Sequence, residues 1–343
     1  MKNSRKLWLP PQLLDDAGFA NGCLPQDDYD REVSELLESS ALPFATLYTA
    51  GDQPIVKWDS DFEEFLDLRG NIVADMMADK SRCIFPWRVE SYLPTENRGN
   101  IDTPLYYSQG GVPSCMGHSA DFAYRSSLLS AIAMGAPLVY ETTNPIVCWY
   151  LSKGRSTRGG QSVTVMAEYA NKTGHFLTSD VGINNLQVPN NYSTGNENAK
   201  KHQSAIIFIP GNGDALVQNV VRCNKAGLGV ALGNSLAVSG VTIKDGIRQA
   251  ILSGKWAHAT SFNAWMQRKG MDYCFWTNSH GKRYKGGAFG EPEDGAWMDT
   301  PLMRRFLDAS TGYGRPYAVL AEAVWNKKFN LKIDFTVPFP TGW

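Results

Sequence analysis

No stretch of the chain approaches the ~20 consecutive apolar residues of a membrane span, and the longest apolar run, near 204–210, has the length of one buried strand. The N-terminus starts basic (Met1-Lys2-Asn3-Ser4-Arg5-Lys6), but Pro10 cuts its apolar part after Leu7-Trp8-Leu9. A secretory h-region needs about 7–15 such residues, so no secretory signal is expected. An excess of one charge is also missing. The chain carries 33 Lys+Arg against 34 Asp+Glu, a net charge of −1. This gives no basic footprint for nucleic acid and no pull toward an acidic membrane surface. Cysteine is scarce, with six in 343 residues and no C-x-x-C pair. That is too few for a disulfide scaffold and the wrong spacing for zinc, so no metal is expected. Gly211-Asn212-Gly213-Asp214 precedes a helical segment but lacks a P-loop Lys and a full G-x-G-x-x-G. It reads as a turn, and no cofactor is expected. A reducing, intracellular setting fits these absences.

What is present is an ordinary globular composition, 43% apolar and 20% charged, with enough chain to bury a full core. Phe62, Phe65, Leu66, Ile72, Val73, Met76 and Met77 recur at helical spacing and predict a helix over 59–80, with Ser60 and Glu63 as its capping box. Further helices are predicted over 28–40, 115–134, 161–172, 215–224, 242–252, 301–309 and 318–325. Residues 174–203, rich in Asn, Gly and Ser, read as loop. Strands are predicted over 205–209, 227–232, 258–266 and 272–277, short and β-branched or aromatic between Gly or Asn turns. A helix-rich half therefore precedes a strand-rich half, which predicts an α+β protein of two lobes. His175 and His202 sit in polar segments and are expected to be solvated. His118 is expected to be a core or surface residue.

One segment carries chemistry: Tyr107-Ser108-Gln109-Gly110-Gly111-Val112-Pro113-Ser114-Cys115. Its turn residues lead into a helix that begins at Cys115. A thiol there feels the positive end of the helix dipole, which favours the reactive thiolate. The Gln109 amide, reaching back over the turn, and the Cys115 backbone N–H form a candidate oxyanion hole. His258 lies on one predicted strand and Asn278 ends the next. Antiparallel pairing of the two would bring an amide beside the imidazole, as a cysteine hydrolase requires.

In these motifs the chain resembles the papain-like cysteine peptidases, family C1. Gln109-Gly110, then Ser114-Cys115, match that family's context for the nucleophile. His258-Ala259 matches its histidine, 143 positions after Cys115, near the ~130–150 of the family. Asn278-Ser279-His280-Gly281 matches its Asn-Ser-x-Gly turn, and Gly159-Gly160 falls where the family's substrate-binding glycine pair lies. The likeness spans about 200 residues, roughly 100–299. It implies a papain-like two-lobe fold, with a helical left lobe and an antiparallel, β-barrel-like right lobe. It also implies a Cys115–His258–Asn278 triad assisted by Gln109, and a peptide or protein substrate bound along Gly159 and Gly160. Two departures stand out. The family's disulfide near the nucleophile is missing at both ends, which fall on Val112 and Thr157. His280 replaces the tryptophan that covers the Asn–His bond, so a wetter and weaker bond is expected.

The resulting division is an N-terminal extension over 1–99, a peptidase-like core over 100–300 and a C-terminal extension over 301–343. The extensions are longer than the family core needs and suit assembly into homo- or hetero-oligomers. An alternative reading follows: a structural or assembly module, for instance in a virus particle, whose activity is vestigial or used once in maturation. The location expected is then the cytoplasm or a virion. A cell-wall amidase is a third reading, against which the wide Cys115–His258 separation counts.

Overall fold

The computed structural model describes residues 57–78, 83–154, 159–182 and 193–321. The expected helix over 28–40, Cys23 and Thr157 lie outside them. The described chain is α+β, with the helices mostly first and one six-stranded sheet after them.

Helix α1 (Ser60–Ala78) forms as its apolar spacing predicts, burying Phe62, Leu66, Val73, Met76 and Met77. Its cap is Asp59 rather than Ser60. The Asp59 carboxylate accepts the Phe62 N–H at 3.0 Å, while the Glu63 carboxylate accepts from the Trp58 indole at 2.8 Å. Helix α2 (Pro86–Tyr92) starts with Pro at its first position, where the missing N–H costs nothing.

Helix α3 (Cys115–Ala133) is the centre of the molecule, and all 19 of its residues are buried. A helix hidden on every face has no polar side to give a periodicity, and α3 has none. Small residues recur along it at four-residue spacing, Cys115, Ser119, Ala123 and Ser127, and this stripe lies on the sheet. Ser119 Oγ donates to Thr260 O. Ser127 Oγ donates to Val319 O at 2.7 Å and accepts the Gly229 N–H at 2.8 Å. A Cβ on Gly229 would stand 2.4 Å from Ala123 O, so only glycine allows this approach.

Helices α4 (Pro145–Ser152) and α5 (Val163–Thr173) cover the other side of α3, each with a side-chain N-cap, Asn144 and Ser162. Two short helices follow, α6 (Thr178–Val181) and α7 (Ser193–Lys201), within the segment expected to be loop. Here local Asn, Gly and Ser content misleads because packing decides: Thr178, Val181 and Ala199 are buried.

The sheet order is β1-β6-β2-β3-β4-β5, from β1 (Ser204–Phe208), β2 (Val230–Lys244), β3 (Ile247–Arg268), β4 (Met271–Thr277), β5 (Gly295–Asp299) and β6 (Tyr317–Ala321). Helix α8 (Asp214–Lys225) joins β1 to β2, and α9 (Thr300–Asp308) follows β5. The sheet curls back on itself without closing into a complete barrel, in keeping with the barrel-like character expected: β5 returns to the start of β3 through a single pair, Gln249 with Trp297.

Two expected helices are strands. Residues 242–252 form the β2–β3 hairpin, turning at Asp245-Gly246 with φ of 52° and 79°. Positive φ at both central positions is the geometry of a two-residue hairpin turn. The β3–β4 turn, Lys269-Gly270, repeats it with φ of 52° and 75°. Residues 318–321, expected to open a helix over 318–325, instead belong to β6 between β1 and β2; 322–325 lie outside the described residues. Thus α1 and β6, from outside the 100–300 segment, belong to the same continuous core as α3 and the sheet.

Candidate active site

The loop before α3 turns at Gly110, φ 60°, and brings Ser114 to the helix N-cap position with Cys115 as the first helical residue. The stripe of small residues then sets the sulfur against β3. The backbone N–H of Ala259 donates to Cys115 Sγ at 3.2 Å, a contact across 144 positions of sequence. His258 is therefore the chain neighbour of the residue that touches the thiol.

His258 lies within β3, paired with Asn234 of β2. The antiparallel β3–β4 register sets Ser261 opposite Thr277, so Asn278 leaves β4 beside the imidazole. His258 Nε2–H donates to Asn278 Oδ1 at 2.8 Å. Asn278 is itself held by its N–H on Asp294 O at 2.8 Å. The loop that returns from Asn278 to β5 is fixed by the buried Arg248, whose guanidinium donates to Tyr284 O at 2.8 Å, Gly286 O at 2.9 Å and Pro292 O. Sequence reading missed Arg248 because it placed that residue on a helix.

Gln109 is bound to the same turn that carries Asn278. Its N–H donates to Ser279 O at 2.7 Å, and Ser279 Oγ donates to Gln109 Oε1. The Gln109 amide nitrogen donates to Val112 O at 2.9 Å, inside its own loop. An amide nitrogen has two N–H donors, and the bond to Val112 uses one of them. Ser279 has no signal of its own beyond its place in the turn.

His280 covers His258, with ring centroids 4.1 Å apart and planes inclined by 32°. Trp256 lies 4.8 Å from His258 and 5.8 Å from His280, edge to face. Cys115 and His258 have no exposed surface, Asn278 has 1% and His280 3%. The Asn278–His258 bond is thus enclosed, and the wetter bond expected from losing the tryptophan is not found. His118, one turn along α3, is also buried. Its Nδ1 donates to Ser114 O at 3.0 Å, and burial pushes its pKa down to about 4, so it is a neutral core residue at pH 7.

Gly159, φ 64°, and the buried Gly160 precede α5. The Gly160 carbonyl accepts from the Lys153 ammonium at 2.6 Å, so one of the two backbone groups that would meet an extended peptide has an internal partner. The five described cysteines are buried and none of them is in a disulfide. Burial pushes the thiols of Cys83 and Cys148 up to about 12 and those of Cys223 and Cys274 further still, so these four stay protonated and unreactive. Cys115 differs in standing at a helix N-terminus. His175, expected in solvent, is buried, stacked on Tyr124 at 4.1 Å with Asp121 3.6 Å from its Nδ1. His202 is largely buried and bonded to Tyr124 Oη at 3.1 Å.

No family model and no curated protein matches the chain. Among solved structures it is similar to digestive procathepsin L 3 of Tenebrio molitor larval midgut, with 12% identity and a TM-score of 0.43, over 85% of this chain and 99% of that one. It is similar to xylellain, a cysteine protease from Xylella fastidiosa, with 11% identity and a TM-score of 0.42, over 68% of this chain and 88% of that one. A third is a structure from work on the mite allergens Blo t 1 and Der p 1, with 13% identity and a TM-score of 0.36, over 86% of this chain and 92% of that one.

Proposed function

We propose that the chain is a thiol-dependent amide hydrolase acting on peptide or protein substrates, with Cys115 as nucleophile. The carrying observation is the convergence of Cys115 on Ala259 N–H at 3.2 Å, with the adjoining His258 held by Asn278 at 2.8 Å. Asn278 fixes Nε2 as the bonded nitrogen, so Nδ1 exchanges protons with the sulfur. His258 takes the Cys115 proton, and the thiolate attacks the carbonyl carbon. The Cys115 N–H and the second Gln109 amide N–H hold the oxyanion. Collapse breaks the C–N bond while His258 returns its proton to the leaving amine. His258 then deprotonates a water that hydrolyses the thioester and frees the thiol. Gly159 and Gly160 align the peptide backbone once Lys153 yields the Gly160 carbonyl.

The test is hydrolysis of a mixed peptide library, with product termini read by mass spectrometry. Wild type cleaves, and Cys115→Ala and Cys115→Ser do not. Equal cleavage by Cys115→Ala contradicts the reading.

Enclosure of the triad favours a second reading, an assembly module in a virus particle or another large complex with activity vestigial or confined to maturation. A stable oligomer by light scattering, together with no turnover, would select it. A turnover-competent monomer would exclude it.

A further inference from the structure

The turn Asn278-Ser279-His280 holds His258 in two ways. Asn278 Oδ1 accepts the Nε2–H at the ring's edge at 2.8 Å, and the His280 ring covers its face at 4.1 Å. Trp256, from β3 itself, closes the third side. A titratable ring lies 4.1 Å from the proposed catalytic ring, so its charge state matters.

We propose that His280 is a positioning residue for His258: it lies over the catalytic ring as a neutral imidazole, keeps water from the His258–Asn278 bond, and leaves the single proton of the pair to His258. This rests on the thiol-hydrolase reading of Cys115, His258 and Asn278.

Two imidazolium rings this close in a buried site repel strongly, so the pair titrates as one unit and holds one proton. The surroundings decide which ring takes it. His258 has the Asn278 amide oxygen as acceptor and the Cys115 sulfur bonded to its neighbour Ala259. Burial comes first and pushes the His280 pKa well below the ordinary histidine range. Positive charge on His258 from β3 and on Arg283 from its own loop opposes a further charge there, and His118 from α3 adds to this only where it is itself protonated. Histidine therefore acts here as an aromatic cover that does not compete for the proton.

The test has two parts on the full chain. Imidazole nitrogen NMR between about pH 8 and about pH 4.5 reads the charge of each ring. His280 is expected to stay neutral throughout, and uptake of a proton by His280 near its ordinary pKa overturns the proposal. Iodoacetamide alkylation of Cys115 across the same range reads His258 in wild type, His280→Ala, His280→Phe and His280→Trp. His280→Ala admits water, slows alkylation about tenfold, and moves the alkaline edge of the profile down by about one pH unit. Phe and Trp, which restore a neutral ring, recover most of the rate and the wild-type edge. A His280→Ala profile equal to wild type, or His280→Phe as slow as His280→Ala, also overturns the proposal. If wild-type Cys115 is not alkylated selectively, the hydrolase reading fails, and the NMR titration still decides the charge of His280.

Discussion

The Ala259 backbone N–H donates to the Cys115 sulfur at 3.2 Å, and this bond joins the buried helix to the sheet where the chemistry is proposed. It exists because α3 lies close against the sheet, with Cys115 and Ser119 on β3 and Ala123 and Ser127 on Gly229 and β6. The same closeness makes the site sensitive to changes well away from it.

Gly229→Ala tests that closeness. The added methyl would meet the Ala123 backbone at 2.4 Å, where neither partner is a flexible side-chain end. The expected loss is about 3 kcal/mol, the upper range for overpacking, read by urea denaturation. Cys115 alkylation should slow as α3 moves off the sheet. Unchanged stability would show that the backbones part without cost.

Asn278→Ala tests the grip on His258. It removes the acceptor of the 2.8 Å bond and frees the ring to turn. Amide hydrolysis should fall about 10²-fold, the scale of a misplaced catalytic group. Stability should fall by about 1–3 kcal/mol, because a buried N–H loses its partner. Full activity in the variant would remove Asn278 from the site.

Arg248 tests whether the loop behind Asn278 must be fixed. Its guanidinium donates to three carbonyls from the segment that returns to β5. Arg248→Met should cost about 1–3 kcal/mol, since the buried Tyr284 carbonyl and the less buried Gly286 and Pro292 carbonyls lose a charged donor. Hydrolysis should fall with it, while Lys269→Met on the exposed β3–β4 turn should alter neither.

Acid stability separates two buried groups of opposite sign. The His118 pKa falls from 6.5 to about 4 on folding. The unfolded chain therefore binds that proton first, and stability is lost as pH drops from about 6.5 to about 4. The Asp294 pKa rises from 3.8 to about 6, so its burial costs stability at neutral pH and is relieved as pH drops over a similar range. His118→Gln should reduce the acid loss by about 3 kcal/mol, and Asp294→Asn should make it steeper. Denaturation at several pH values checks both, and equal slopes in all three proteins would contradict both assignments.

Much of this was legible in the sequence where a local signal and the final structure agree. Cys115 follows a Gly-Gly and Pro turn and begins a helix in both. Asn278 ends a strand beside His258 in both. The failures have physical causes. Ile243, Ile247 and Ile251 sit at helical spacing, yet Asp245-Gly246 between them is a hairpin turn, and only Ile247 is buried. Residues 318–321 form an all-apolar run that suits helix or strand equally, and long-range pairing with β1 and β2 decides it. The cover over His258 was misread because a polar residue name suggested water, whereas packing between Trp256 and His258 makes His280 an interior ring. Arg248 and Ser279 gave no signal because their partners are backbone carbonyls and an amide that only the fold brings near.

The most direct measurement of the central claim is the site of covalent labelling by an epoxysuccinyl thiol reagent on the folded protein, mapped by mass spectrometry. Cys83, Cys148, Cys223 and Cys274, buried and held as thiols, serve as internal controls. The account predicts one adduct on Cys115, abolished by His258→Ala. No adduct, or an adduct on another cysteine in preference to Cys115, would contradict it.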